Sequence, residues 1–142
     1  MRKRLRLLAL TALAAFVLSG CASSPSSNPA PTKAKLVIQI SKTEPDGTTY
    51  QRYKTIEDAS VVAEIRSVLI KADESRSSAS MSRASDRKLE IMNAGPTVAS
   101  EIQVYGIWFS PEGKLIEVVM ESGQGGYIQL NPDDSKKIRS IL

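Results

Sequence analysis

Apolar and polar residues alternate along several short stretches of the chain. The first of these places Leu36, Ile38 and Ile40 at every second position. Such alternation predicts a strand with one buried face. A Pro-Asp-Gly turn at 45–47 follows, so residues 48–54 complete a predicted hairpin. The remaining predicted strands are residues 87–93, 101–110, 114–121 and 127–130.

A second periodicity, typical of a helix, begins soon after the hairpin. Apolar residues recur at spacings of three and four and form one stripe, which predicts a helix from about Glu57 to Lys71. The sequence Thr55-Ile56-Glu57-Asp58 in front of it resembles a capping box, with Asp58 in the last position. The stripe consists of Val61, Val62, Ile65, Val68 and Leu69.

The end of the chain carries the start signals of another helix. Asn131 is the predicted N-cap and Pro132 the first helical residue. Asp133 and Asp134 follow in the first turn, where the positive end of the helix dipole stabilises acidic side chains. Apolar residues at Ile138, Ile141 and Leu142 give this helix a buried side.

The order of these elements predicts the fold class. It reads β-β-α, a long loop, then β-β-β-β-α, and runs of strands interrupted by separate helices favour an α+β fold. We expect one antiparallel sheet with both helices packed on one face. The chain has room for a single domain of this kind, which we place at residues 34–142.

The fourth predicted strand changes the parity of its apolar residues. Ile102 and Val104 occupy even positions, whereas Ile107 and Phe109 occupy odd ones. One extra residue at Gly106, a β-bulge, would bring all four side chains onto one face.

Three aromatic residues near the central hairpin are candidates for a contact surface. Tyr105, Trp108 and Tyr127 lie on the predicted strands, and Trp108 falls on the face opposite Ile107 and Phe109. A sheet face that carries Trp and Tyr is suited to a ligand or a protein partner. The alternative is that the tryptophan is shielded by the long loop or by the termini.

The segment 72–86 lies between the first predicted helix and the third strand. It has no apolar periodicity and has five serines between Ser75 and Ser82. Polar loops of more than about 12–15 residues are commonly either functional or disordered. The sequence leaves open a mobile surface loop and a lid over a small-ligand site.

The first twenty residues resemble a targeting segment. Basic residues stand at positions 2, 3, 4 and 6, and an apolar run of twelve residues follows at 7–18. This order of features is typical of a signal peptide. The apolar run is too short to cross a bilayer, which takes about 20 residues.

The sequence Leu18-Ser19-Gly20-Cys21 closes the apolar run and resembles the lipobox of bacterial lipoproteins. The resemblance implies cleavage between Gly20 and Cys21. It also implies a diacylglyceryl thioether on Cys21, and N-acylation of the new N-terminus with a chain such as palmitate.

The same resemblance implies a location. The mature protein would be anchored to the cell membrane on its extracytoplasmic side, with the Ser- and Pro-rich residues 21–33 as a flexible linker. Ala22 after the cysteine would permit sorting to the outer membrane in a bacterium that has two membranes.

Cleavage would change the charge of the protein. The chain has 19 basic and 15 acidic residues, but four of the basic residues and none of the acidic ones precede Cys21. The mature chain would hold fifteen of each and be neutral. Because the high pI belongs to the leader, the charge gives no reason to expect a nucleic-acid partner.

Little in the sequence predicts catalysis. The chain has no histidine and one cysteine, so the common general base and the usual soft metal ligands are missing. Ser85-Asp86-Arg87-Lys88 matches the S-x-x-K pattern of serine β-lactamases, but the S-D-N and K-T-G partner motifs are absent. A hydrolase at Ser85 is therefore a distant alternative, and we expect no cofactor and no metal.

The sequence from Tyr105 to Lys114, with Tyr127-Ile128-Gln129-Leu130 and the terminal helix, resembles the YhfM-like domain of small lipoproteins from Gram-positive bacteria. This resemblance supplies no catalytic residues. We expect a lipid-anchored, non-enzymatic interaction or envelope-associated domain that binds membrane lipid through Cys21 and contacts an envelope protein. The alternative is a small-ligand binder that uses the 72–86 loop.

Overall fold

A computed structural model describes residues 34–95 and 101–142. The expectations for the signal peptide, the lipobox and the linker concern residues outside these ranges. The described strands are β1 (Leu36–Thr43), β2 (Tyr50–Ile56), β3 (Arg87–Asn93), β4 (Gln103–Phe109), β5 (Ile116–Met120) and β6 (Tyr127–Gln129), and the helices are α1 (Ala59–Asp73) and α2 (Pro132–Ile141).

The six strands form one antiparallel sheet. Their order is β2-β1-β3-β4-β5-β6, and every neighbouring pair runs antiparallel. The chain leaves β2 at one edge, forms α1 and the segment that follows it, and returns as β3 beside β1. The predicted α+β class and the order of elements are confirmed.

Both helices pack on the same face of this sheet. The apolar side chains of α1 and α2 join those of β1, β3, β4 and β5 in one buried cluster. Burial of each large aliphatic side chain contributes about 1.5–3 kcal/mol to folding. The fully buried side chains include Ile38, Ile40, Leu69, Leu89, Tyr105, Ile107, Ile116 and Ile138.

The start of α1 differs from the predicted capping box. Thr55 lies within β2, where it pairs with Gln39, and therefore cannot cap the helix. The N-cap is Asp58, whose carboxylate accepts hydrogen bonds from the backbone N–H groups of Ser60 and Val61. The carboxylate satisfies two donors that would otherwise have no partner in the first turn.

The start of α2 matches its prediction. Asn131 is the N-cap, and its side-chain oxygen accepts a hydrogen bond from the backbone N–H of Asp134 at 2.9 Å. Pro132 is the first helical residue. The N-cap preference and the proline at the first position are both local rules, which is why the sequence located this helix end.

The predicted bulge at Gly106 is wrong. The register of β4 is unbroken against both β3 and β5. Regular alternation places Tyr105, Ile107 and Phe109 towards the helices, so Val104 lies on the other face and Ile102 is 45% exposed. Tyr105 occupies the core position that the bulge was invoked to fill.

An irregularity occurs instead between β1 and β2, next to Ile40 and Ser41. The register omits Tyr53, so consecutive residues of β2 reach towards α2. The Tyr53 hydroxyl donates to the backbone oxygen of Leu142 at 2.9 Å, and Lys54 Nζ donates to that of Ile141 at 2.7 Å. These bonds join the edge strand to the C-terminal end of α2, where carbonyl groups lack helical partners.

Neither described helix is long and apolar enough to cross a membrane.

Candidate functional site

The segment 74–86, called here the crossing segment, is bonded to the sheet at both of its ends. Near α1, the backbone N–H of Tyr127 donates to Ser77 O at 2.9 Å. Near β3, the N–H of Asp86 donates to Ile107 O at 2.8 Å. The segment therefore passes from the β6 edge towards β4, across the face that carries no helix. These bonds hold the segment against the sheet, so it is not a free surface loop.

Trp108 lies under the crossing segment. Its indole N–H donates to Arg83 O at 3.0 Å, and the residue is only 6% exposed. It lies on the face opposite the core, as predicted, and the alternative in which the loop shields it is the one observed. The ring extends over Gly106, where a Cβ atom would lie 2.6 Å from two ring carbons. Glycine at 106 leaves the space that the indole occupies.

A cavity of about 490 Å³ opens beside Trp108, between the crossing segment and the ends of β4 and β5. This volume is within the range typical of small-molecule sites. Its walls combine apolar and polar side chains from the crossing segment, the two strands and the turn between them. They are Ser80, Met81, Ser82, Arg83, Trp108, Phe109, Pro111 and Glu117.

Asp86 holds the crossing segment to the end of β4 beside the cavity. Its two carboxylate oxygens accept hydrogen bonds from Arg83 at 2.7 and 2.9 Å, and one of them also accepts from the Phe109 N–H at 2.8 Å. Burial acts to raise the pKa of Asp86, but these bonds and the charges of Arg83 and Arg87 outweigh it and hold the pKa below its usual value. The Arg83 charge is thus neutralised within the protein.

Glu117 is the second carboxylate at the cavity. It pairs directly with Trp108 across β4 and β5. The Tyr127 hydroxyl donates to it over a long 3.5 Å, and among the described residues no Lys or Arg nitrogen lies within 4 Å of it. Burial and the Glu117 charge raise the pKa of Tyr127. Glu117 therefore has a weak hydrogen-bond partner and no salt bridge among the described residues. Its charge does reach Arg83, whose pKa is raised by the hydrogen bond to Asp86, by the Asp86 charge and then by the Glu117 charge.

The three aromatics proposed as a contact surface do not share one. Tyr105 is fully buried among the core residues, and its hydroxyl donates to Asp73 at 2.9 Å. Burial, then the hydrogen bond to Asp73, raises the pKa of Tyr105, and burial also raises the pKa of Asp73. Tyr105 is thus a core residue, whereas Trp108 lines the cavity and Tyr127 adjoins it through Glu117.

Ser85 is in a poor position for the hydrolase alternative. It precedes strand β3 and does not open a helix, and it is 1% exposed. Its hydroxyl bonds that of Tyr50 at 2.9 Å. Lys88 instead pairs with Glu121 at 2.6 Å, with its ammonium 4.4 Å from the centre of the Tyr50 ring. Within the described ranges, Ser85 therefore has no contact with the lysine of its own motif.

The glycine-rich turn 122–126 has a packing role. Gly126 is buried, and a Cβ atom there would lie 1.7 Å from the backbone oxygen of Ala72 at the end of α1. The turn therefore fits closely against that helix end, and only glycine leaves room for this contact. No group of three or more metal-ligating side chains occurs in the part of the chain described.

Sequence reasoning missed Arg83, Asp86 and Glu117. Glu117 occupies a polar position between Ile116 and Val118, so the alternation predicts which face of the strand its side chain lies on. Its placement beside Trp108 could not be predicted, because that depends on the register of β5 against β4.

The sequence matches no family model, and comparison with curated proteins and with solved structures finds no similar protein. The residues of the site therefore carry the functional interpretation.

Proposed function

We propose that this chain is a bacterial lipoprotein, held on the extracytoplasmic side of the cell membrane by acyl chains on Cys21. The sequence Leu18-Ser19-Gly20-Cys21, the apolar run and the basic cluster before it support this proposal. Two or more acyl chains give stable attachment, whereas one is marginal. Residues 22–33 limit the distance between the anchor and the described domain to about 40 Å.

The domain itself is, in this proposal, a non-enzymatic interaction module of the cell envelope. The observation that supports this proposal most directly is the end of the sheet at which the cavity opens. Strand β1 begins at Leu36, which pairs with Asn93 at one end of the sheet. At the other end Lys42 pairs with Arg87. Arg87 in turn pairs with Ile107, the residue before Trp108. Six residues of strand span roughly 20 Å. The cavity thus opens at the end of the sheet opposite the start of β1, where a partner has access.

The sheet edges are less suited to binding a partner strand. β2 carries Arg52 and Lys54 together with the irregularity at Tyr53, and such features oppose edge-to-edge pairing. β6 has three residues, and Tyr127 N–H already donates to Ser77 O. Recognition by strand addition is therefore disfavoured, and the cavity with its rim is the better contact site.

Site-specific photo-crosslinking in native membranes tests the interaction module. A photoreactive amino acid at Ser82, an exposed position on the cavity rim, should yield a discrete adduct with an envelope protein. The matched control is the same amino acid at Lys136, exposed on α2 away from the cavity rim. Equal adducts from both positions, or none from Ser82, would contradict a partner at this site.

A second candidate function is small-ligand binding in the same cavity. The wall formed by the crossing segment and the 490 Å³ volume favour it. In this case Ser82 yields no protein adduct, and native mass spectrometry of the purified protein detects a retained small molecule.

A further inference from the structure

We propose that the cavity beside Trp108 recognises a ligand that carries an ammonium group, with Glu117 as its counter-ion. This inference rests on the cavity being a binding site, as both functions above require. It adds the chemical class of what binds there. The ammonium group comes either from a small organic amine or from a lysine side chain of a protein partner.

The charges on the cavity wall disfavour an anionic ligand. Arg83 is the one cationic side chain on the cavity wall within the described residues, and both of its terminal nitrogens bond the Asp86 carboxylate. One of them also donates to Phe109 O at 3.3 Å. An anion would have to displace Asp86, which also holds the N–H of Phe109. The terminal N–H groups of Arg83 are therefore engaged within the protein, and only its Nε–H is left for an anion.

Glu117 has the opposite property. Its carboxylate lines the cavity, and the long bond from Tyr127 leaves most of its acceptor capacity unused. Two lysines of the described residues form ion pairs with other carboxylates. Lys114 lies 3.7 Å from Glu112, and Lys88 lies 2.6 Å from Glu121. Arg83 is the cation that feels the Glu117 charge, but both of its terminal nitrogens bond Asp86. A cation supplied by the ligand would give Glu117 the direct ion pair that the described residues do not provide.

The walls around Glu117 suit an organic cation better than a hydrated metal ion. Trp108 is the cross-strand neighbour of Glu117, and a tryptophan ring is the aromatic group that attracts cations most strongly. Its N–H is already bonded to Arg83 O, which fixes the ring and leaves no donor for the ligand. Met81, Phe109 and Pro111 add apolar surface for the carbon atoms of an amine.

Trp108 also provides the measurement, because it is the only tryptophan of the chain. The full lipidated protein in detergent micelles is titrated with choline chloride while the Trp108 emission is recorded. The same titration uses 3,3-dimethylbutan-1-ol, the neutral analogue of choline, with NaCl holding the ionic strength constant. We expect a saturable emission change with choline, and binding weaker by about tenfold or more for the neutral analogue.

Two variants locate the effect. Glu117→Gln keeps an acceptor for the Tyr127 hydroxyl but removes the charge, and should weaken choline binding by about tenfold or more. Glu112→Gln changes a carboxylate in the neighbouring turn whose side chain is 80% exposed, and should leave choline binding unchanged. Urea unfolding of both variants checks that each remains folded.

N-acetyl-lysine methylamide distinguishes the two sources of the ammonium group. Tighter binding of this compound than of choline supports a lysine from a protein partner, and the reverse supports a small amine. If the neutral analogue binds as tightly as choline, or if Glu117→Gln binds choline unchanged, the ammonium inference is overturned while ligand binding stands. If no probe changes the Trp108 emission, the inference is overturned, whereas the photo-crosslinking result at Ser82 decides the interaction module independently.

Discussion

At the scale of single residues, two glycines decide how closely backbone and side chains approach. Gly106 leaves room for the indole of Trp108, and Gly126 allows the turn before β6 to touch the backbone of Ala72. The two cases differ in what would have to move. A side chain can rotate away from an added methyl group, whereas the backbone at the end of α1 is held by the core residues beside it.

Gly126→Ala is therefore expected to be strongly destabilising. The added Cβ would lie 1.7 Å from Ala72 O, so the turn must separate from α1, at a cost of about 3 kcal/mol or more. Gly47→Ala is the matched control, since no atom lies within 4 Å of its Cβ and the cost is limited to about 1–2 kcal/mol for its positive φ. Urea unfolding followed by Trp108 emission measures both, and equal losses would contradict this account.

At the scale of elements, the crossing segment shows what determines a structure without periodicity. Its positions are set by backbone and side-chain bonds to β1, β2, β4 and β6. These bonds are made through Ser77, Arg83, Ser85 and Asp86. Three of these bonds involve Asp86 or Arg83 and the last two residues of β4. The order of this segment, and with it the cavity, therefore depends on a small number of polar groups.

Replacement of Asp86 by Asn tests this dependence through pH. The folded pKa of Asp86 lies below the usual value of about 3.9. Near pH 3–4 the unfolded chain therefore binds the proton more readily, and acid favours unfolding. The stability supplied by this carboxylate is therefore present above about pH 4 and is lost as the pH falls through the folded pKa. At pH 7 the variant should lose about 2 kcal/mol of unfolding free energy.

The difference between the wild type and Asp86→Asn should shrink as the pH falls from 4 towards 2, measured by urea unfolding at each pH. Glu112→Gln, which removes an exposed carboxylate 3.7 Å from Lys114, should follow the wild type throughout. A wild-type advantage that does not change with pH would show that the charge of Asp86 is not what fastens the segment.

The sequence predicted those elements whose signals are local. Alternation placed Leu89 and Ile91 in the core, and the capping rules located the start of α2 at Asn131. The sequence did not predict that Tyr105 is a core residue. A tyrosine hydroxyl can be buried only where it has a hydrogen-bond partner, and the sequence does not show that Asp73 is that partner. The bulge at Gly106 was a consequence of leaving that tyrosine out of the apolar pattern.

The cavity was beyond prediction for a different reason. It joins Arg83, Trp108 and Glu117, which are separated by 25 and 9 positions in the chain and meet only through strand register and the path of the crossing segment. Single-sequence patterns carry information about neighbours along the chain, and none of these residues is a sequence neighbour of another. The sequence could identify the aromatic residues as candidates, but it could not predict which of them lie together.

At the scale of the whole molecule, the part of the chain that the structure describes is a sheet with helices on one face and a polar segment across part of the other. The excess positive charge of the chain precedes Cys21, so the proposed mature protein is neutral. A neutral domain has no general attraction to anionic lipid or nucleic acid. Its position in the cell would then be set by the acyl chains, and its selectivity by the cavity beside Trp108.

The mass of the mature protein, purified from bacterial membranes, tests the central claim most directly. We expect an N-terminus at Cys21 that carries a diacylglyceryl group, with or without an additional N-acyl chain. The same protein with Cys21→Ser should keep its leader and lack the lipid. A mature wild-type protein whose Cys21 carries no lipid, or a Cys21→Ser variant with the same processed mass as the wild type, would contradict the account.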